Sequence, residues 1–145
     1  MTTVCYSHKH KQVAIDSRIT SNGVIRSDNH KKTLENDLGI WFFTGKVSDE
    51  KDICKLKHND KVDVIPEASA YVISDNKVHL VLVNSDGYCE WALLDYDDAM
   101  GSGGDFALAA LDFGEDAKGA IEYAKQRDIY TGGEVRVFNV ERKGN

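Results

Sequence analysis

The sequence begins Met1-Thr2-Thr3-Val4-Cys5. Removal of Met1 would leave Thr2 carrying a hydroxyl and a free α-amine on one residue, a self-contained nucleophile and base. A threonine at position 2 is usually just part of a frayed, solvated terminus. Its meaning therefore depends on what the rest of the chain builds around it. Other chemistry-bearing stretches are weaker. Thr44-Gly45-Lys46-Val47-Ser48 has the outline of a phosphate loop, but Ile40 stands at the required earlier glycine and Val47 splits the lysine from the serine. Gly101-Ser102-Gly103-Gly104 lacks the third glycine of a dinucleotide fingerprint. Asp95-Tyr96-Asp97-Asp98 opens like a calcium loop, then places Ala99 and Met100 where a ligand and a glycine belong. His8 and His10 share a strand face and could bind a metal, although a solvated turn explains them better.

Composition narrows the class. At 145 residues the chain suits one domain, 1–145, long enough to bury a core. A net charge of −6 disfavours a general nucleic-acid surface, though His30-Lys31-Lys32 and Lys51 to Lys61 concentrate positive charge. No apolar run approaches the ~20 residues that a membrane span requires. The expectation is a soluble cytoplasmic protein with no membrane or nucleic-acid partner. Cys5, Cys54 and Cys89 are odd in number, far apart and form no CxxC pair. That argues against a disulfide framework or a zinc site and for small buried thiols.

The elements that must position any site follow from patterning. Val4 to Ser7 and Val13 to Ile15 form a hairpin across a polar turn, and Asn22-Gly23 marks another turn before Val24 to Arg26. Ile40 to Phe43 is a buried strand ending at Thr44-Gly45. Ser48 is the expected N-cap of a helix of two or three turns reaching Leu56. Ala70 to Ser74, Val78 to Asn84 and Tyr88 to Leu94 make a three-stranded meander, its central strand covered on both faces. Helical spacing then covers Asp105 to Leu111 and Glu115 to Arg127, and Glu134 to Val140 alternates as a last strand. Sheets carrying helices on their outer faces fit this order.

In these residues the chain resembles the proteasome β-subunit and its bacterial relative HslV, which are N-terminal nucleophile hydrolases. The matching blocks are Thr2 to Gly45 and Gly101 to Arg142. They contain, in order, Thr2-Thr3-Val4, Asp16-Ser17-Arg18-Ile19-Thr20, Lys31-Lys32, Thr44-Gly45, Gly101-Ser102-Gly103, and Ala124 to Asp128 followed by Thr131-Gly132-Gly133. Each motif is weak alone; their order is not. The resemblance implies an α+β fold, the four-layer αββα sandwich. The segment between Gly45 and Ser102 is shorter than in the family, so one helical layer should be thinned.

The resemblance also implies roles. Thr2 matches the nucleophile, Lys32 the ammonium beside it, and Asp16 the carboxylate that holds the lysine. Gly45 matches the oxyanion donor, while Ser102 and Asp128 match the residues that orient the nucleophile's amine. Thr20 matches a position pairing with extended substrate. Ile19, His30, Phe43 and Val47 match the pocket for the residue before the cut, with Phe43 at its floor. A shallow pocket for small or medium apolar side chains is the resulting expectation. So are a threonine-type endopeptidase without cofactor, maturation by loss of Met1 alone, a polypeptide or peptide substrate, and a homo-oligomer. An ATP-dependent unfoldase is a candidate partner. Taken singly, Asp16 could end a strand, Lys32 could join a solvated charge pair, Gly45 and Ser102 could serve turns, and Asp128 could close a helix. A catalytically silent scaffold or binding subunit is the competing reading, favoured by the shortened layer and by retention of Met1. An amidase acting on a small metabolite is a third.

Overall fold

The computed structural model describes residues 1–141; Arg142, which closes the second matching block, lies outside the described residues. In chain order the strands are β1 (Thr3–Ser7), β2 (Gln12–Ile15), β3 (Ile19–Ser21), β4 (Val24–Ser27), β5 (Thr33–Asn36) and β6 (Gly39–Gly45). A 3₁₀ turn at Val47–Asp49 and the single-turn helix α1 (Glu50–Ile53) come next. Then follow β7 (Ala68–Ser74), β8 (Lys77–Val83), β9 (Cys89–Leu93), β10 (Asp98–Gly101), α2 (Gly104–Asp112), α3 (Ala117–Arg127) and β11 (Arg136–Asn139). The protein is a sheet-rich α+β fold in two compact units, Met1–Lys32 with the chain from Asp95 onward, and Thr33–Leu94.

The first unit is built on an antiparallel sheet of order β10-β1-β2-β11. All five residues of β1 are buried, because β1 lies inside the sheet and α2 and α3 pack against it. Cys5 and Ala14 point into a cluster of small side chains, Ala107, Ala110, Ala117, Ala120 and Ala124, completed by Leu111 and Ile121. Short side chains let the helices approach the sheet closely. Ala117, Ala120, Ile121 and Ala124 recur at helical spacing and so present one face. Asp116 caps α3 by accepting the Gly119 N–H at 2.8 Å. The helix stops at Asp128, whose backbone is extended. β3 and β4 form a separate hairpin turning at Asn22-Gly23.

The second unit is an antiparallel sheet of order β5-β6-β7-β8-β9. Asp75 and Asn76, at φ 51° and 61°, make the tight turn between β7 and β8 that their residue types favour. One face carries Trp41, Phe43, Ala70, Val72, Val81 and Cys89, covered by Ile53 and Cys54. Trp41 and Phe43 stack with centroids 6.2 Å apart. Both indoles are satisfied, Trp41 Nε1 donating to Asn36 Oδ1 and Trp91 Nε1 to the Leu56 carbonyl.

Three sequence expectations need correction. The helix expected from Ser48 to Leu56 is the 3₁₀ turn plus the one turn of α1, and Ser48 does not cap it. Only Ile53 of α1 is buried, and Asp49 makes no side-chain cap, so nothing offsets the cost of extending so short a helix. Strands β5 and β10 were not anticipated. β10 has little β-branched character and exists because β1 offers it an edge, pairing Thr3 with Gly101 and Val4 with Met100. Third, β8 is fully covered only at Val78 and Val81; its other residues are half-buried or exposed.

Candidate active site

The first unit buries a charged pair where β1, β2 and the chain after β4 converge. Asp16, just past β2, and Lys32 form an ion pair at 2.8 Å, their side chains 0% and 5% exposed. Such pairs are expensive, because each ion loses several kcal/mol of hydration. Asp16 recovers part of this through complete hydrogen bonding. Its Oδ1 accepts the Thr3 N–H at 3.1 Å and the Lys32 ammonium, and its Oδ2 accepts the Gly132 N–H at 3.1 Å. The Asp16 N–H donates to the Thr3 carbonyl, completing a two-way clasp on the start of β1. Lys32 Nζ also donates to the Met1 carbonyl at 2.9 Å. Lys32 therefore faces the Met1–Thr2 peptide.

Thr2 is held on its other side by the turn that opens α2. Its carbonyl accepts the Ser102 N–H at 3.2 Å. Gly101, at φ 94°, lies so close that a Cβ there would overlap the Thr2 carbonyl, so the glycine is required by this contact. The Ser102 hydroxyl is buried without a hydrogen-bond partner among the described residues. Its dipole nevertheless favours the neighbouring Asp128 carboxylate. Partial burial pushes the Asp128 pKa up, but the Ser102 and Thr131 hydroxyls, the Tyr130 N–H and the N-terminal amine together hold it below the ordinary carboxylate value. Thr131 Oγ1 donates to Asp128 Oδ2 at 2.6 Å and lies 2.7 Å from Thr3 Oγ1.

Thr2, Asp16, Lys32, Ser102 and Asp128 are thus all in the first unit, gathered around the chain terminus. Ile19, Thr20 and His30 belong to the same unit. Ile19 and Thr20 are half-buried on β3, which pairs with β4 in a two-stranded sheet. His30 is exposed and donates its N–H to the Ser17 carbonyl at 2.9 Å. Arg18 fixes the base of this hairpin, its guanidinium binding both Asp28 oxygens and the Ile129 carbonyl. That guanidinium holds the Asp28 carboxyl below its usual range.

Gly45, Phe43 and Val47 belong to the second unit. Gly45 ends β6 at φ 101°, and a Cβ there would collide with the Glu67 carbonyl. Strand packing alone therefore accounts for this glycine. Phe43 is 2% exposed beneath α1, and Val47 is 65% exposed. His8, weighed above as a metal ligand, has its Nδ1 2.8 Å from the Tyr6 hydroxyl.

Sequence reasoning placed Thr3 and Thr131 in matched motifs but gave them no role in the site. Both are buried polar residues, at 0% and 1% exposure, and both bond directly to residues proposed for the site. The available signal was Thr131-Gly132-Gly133 standing three residues after Asp128.

No protein-family model matches this chain, and no curated protein matches it. Solved structures do. The crystal structure of eukaryotic HslV from Trypanosoma brucei is similar with a TM-score of 0.66 and 20% identity, over 94% of this chain and 97% of that one. The BPH protein of Thiobacillus denitrificans in complex with epoxomicin is similar with a TM-score of 0.68 and 15% identity, over 95% and 97%. BPH also matches in a second structure, at 0.66 and 15%, over 94% and 95%. The chain therefore has the fold that HslV and BPH share.

Proposed function

We propose that this protein is a threonine-type endopeptidase whose nucleophile is Thr2 after loss of Met1. The observation that carries the proposal is the buried Asp16–Lys32 pair with its ammonium on the Met1 carbonyl. A fold does not need this pair, because a buried ion pair adds little net stability. A hydroxyl nucleophile gains from a fixed positive charge beside it, which stabilises the alkoxide as it forms. The likeness to HslV and to BPH with epoxomicin supports the same reading.

In the proposed reaction the Thr2 hydroxyl attacks the scissile carbonyl while the α-amine takes its proton, directly or through water. The α-amine is the base nearest the hydroxyl, because both belong to Thr2. Lys32 stabilises the developing alkoxide, and Asp16 fixes Lys32. The leaving amine departs with a proton, leaving an ester on Thr2 that water hydrolyses. Ser102 and Asp128 orient the amine. Gly45 as oxyanion donor, Thr20 as a substrate-pairing position, and Ile19, His30, Phe43 and Val47 as pocket residues enter on the resemblance alone.

The same proposal includes one αββα domain over residues 1–145, a homo-oligomer, a cytoplasmic location, peptide or polypeptide substrates, and an ATP-dependent unfoldase as candidate partner. A silent scaffold is the second reading. While Met1 is attached the Thr2 nitrogen is an amide and cannot act as base. A peptide panel varying the residue before the cut separates the two. Hydrolysis after small or medium apolar residues, lost in Thr2→Ala, is expected of the mature chain. Absence of hydrolysis by a chain shown to lack Met1 would favour the scaffold, and a preference for charged residues would overturn the pocket assignment.

A further inference from the structure

The two adjacent threonines at the terminus are chemically unlike, and hydrogen-bond direction shows why. A carboxylate can only accept, so Thr131 spends its one hydroxyl proton on Asp128 Oδ2 at 2.6 Å. The Thr131 oxygen must then accept from Thr3 Oγ1, 2.7 Å away, and this spends the Thr3 proton. The Thr3 oxygen in turn accepts the Gly103 N–H at 2.9 Å. One directed chain therefore runs from Gly103 through Thr3 and Thr131 to Asp128. Gly103 belongs to it sterically as well, since a Cβ there would stand 2.7 Å from Thr131 Oγ1 and 2.8 Å from Thr3 Oγ1. The Thr3 N–H meanwhile binds Asp16 Oδ1 at 3.1 Å.

We infer that Thr3 is the positioning residue of this site, its amide held by Asp16 and its hydroxyl tied through Thr131 to Asp128, so that Thr2 is fixed against Lys32. Thr3 is 0% exposed, its proton is committed, and its hydroxyl is not available to attack a substrate. Its work is to join the two carboxylates through one residue of β1. Asp128 thereby acts on the terminus through Thr3 as well, and the charge that keeps the chain directed is that of Asp128. The inference rests on Thr2 as the nucleophile.

The test compares wild type, Thr3→Ser, Thr3→Val and Thr131→Val in the full-length protein after Met1 removal. Two readouts are taken: the rate of adduct formation with a peptide epoxyketone, and hydrogen exchange at the Gly103 amide. Thr3→Val preserves shape but removes the hydroxyl. It should slow the adduct by about tenfold, roughly one hydrogen bond's worth of alignment. Peptide hydrolysis should show the loss in kcat with KM held. Thr3→Ser should restore most of the rate, which a purely packing role for the Thr3 methyl would not allow. Thr131→Val cuts the chain one link later and should fall between them, giving a second measure if Thr3→Val does not fold. Gly103 exchange should quicken in Thr3→Val and stay slow in Thr3→Ser. Wild-type adduct rates in both valine variants would overturn the inference. If wild type itself forms no adduct, the nucleophile reading fails and Gly103 exchange decides alone: unchanged protection in Thr3→Val overturns the directed chain, and lost protection upholds it.

Discussion

Both units bury apolar side chains, but among the described residues the buried polar and charged ones, Thr3, Ser7, Asp16, Ser17, Lys32 and Thr131, all lie in the first unit. The second unit buries Trp41, Phe43, Val72, Val81 and Cys89 against Ile53 and Cys54, a cluster whose logic is apolar area removed from water. The first unit buries Thr3, Asp16, Ser17, Lys32 and Thr131 beside its alanine-rich core. Burying polar groups costs free energy unless every one is bonded. The first unit keeps these five and bonds each of them, Asp16 alone accepting three donors, while the Ser102 hydroxyl stays buried without a partner among the described residues. The apolar cluster is explained by the fold alone, whereas the polar cluster is the part that the proposed function uses.

Breaking the ion pair should produce the largest effect. Lys32→Met leaves Asp16 buried without its counter-charge, and denaturant unfolding should show a loss of about 3–5 kcal/mol. The proposed peptidase activity should vanish as well. A stable, active Lys32→Met protein would erase the distinction between the units. Next comes the apolar side. Ile53→Ala, under the sheet of the second unit, should cost about 2–5 kcal/mol by leaving a cavity.

Thiol labelling can sharpen the comparison, because each unit carries its own reporter. Burial pushes the Cys5 thiol up to about 12 in the first unit and the Cys89 thiol up to about 11 in the second. Neither reacts until its surroundings open. Ile53→Ala should accelerate labelling of Cys89 more than Cys5, and Lys32→Met the reverse. Equal acceleration of both thiols in both variants would show that the units open together.

The smallest expected effect is on the acid limb of stability. The Asp128 pKa is lowered on folding, so its contribution is present above the unfolded value of about 3.9 and disappears as pH falls through the depressed folded value. Thr131→Val removes one of the hydrogen bonds responsible. The pH dependence of unfolding below about pH 4 should therefore flatten slightly, and an unchanged acid limb would show that Thr131 does not hold the charged form.

This contrast also explains what the sequence disclosed. The meander around Val78, Leu80 and Leu82 was legible because alternation and an Asp-Asn turn are local signals, and α3 because its alanines recur at helical spacing. β10 was not, since its pairing with β1 is decided by the fold rather than by Asp98 to Gly101. The helix expected from Ser48 stops after one turn because a plausible cap supplies no buried face, and only Ile53 of α1 is buried. Thr2, Asp16, Lys32, Ser102 and Asp128 came from matched motifs and are gathered in one unit. The roles of Thr3 and Thr131, both within matched motifs, are not legible because a buried hydroxyl looks like any other threonine until its partners are known. Gly45 carries a second explanation, its approach to Glu67, that no sequence pattern reveals.

The most direct measurement is the intact mass of the purified protein before and after exposure to a peptide epoxyketone, with the adduct located by peptide mapping and Thr2→Ala run in parallel. A chain lacking Met1 that gains one adduct on Thr2, with none in the variant, is the expected result. A chain that has lost Met1 and gains no adduct, or gains it equally in Thr2→Ala, would contradict Thr2 as the nucleophile.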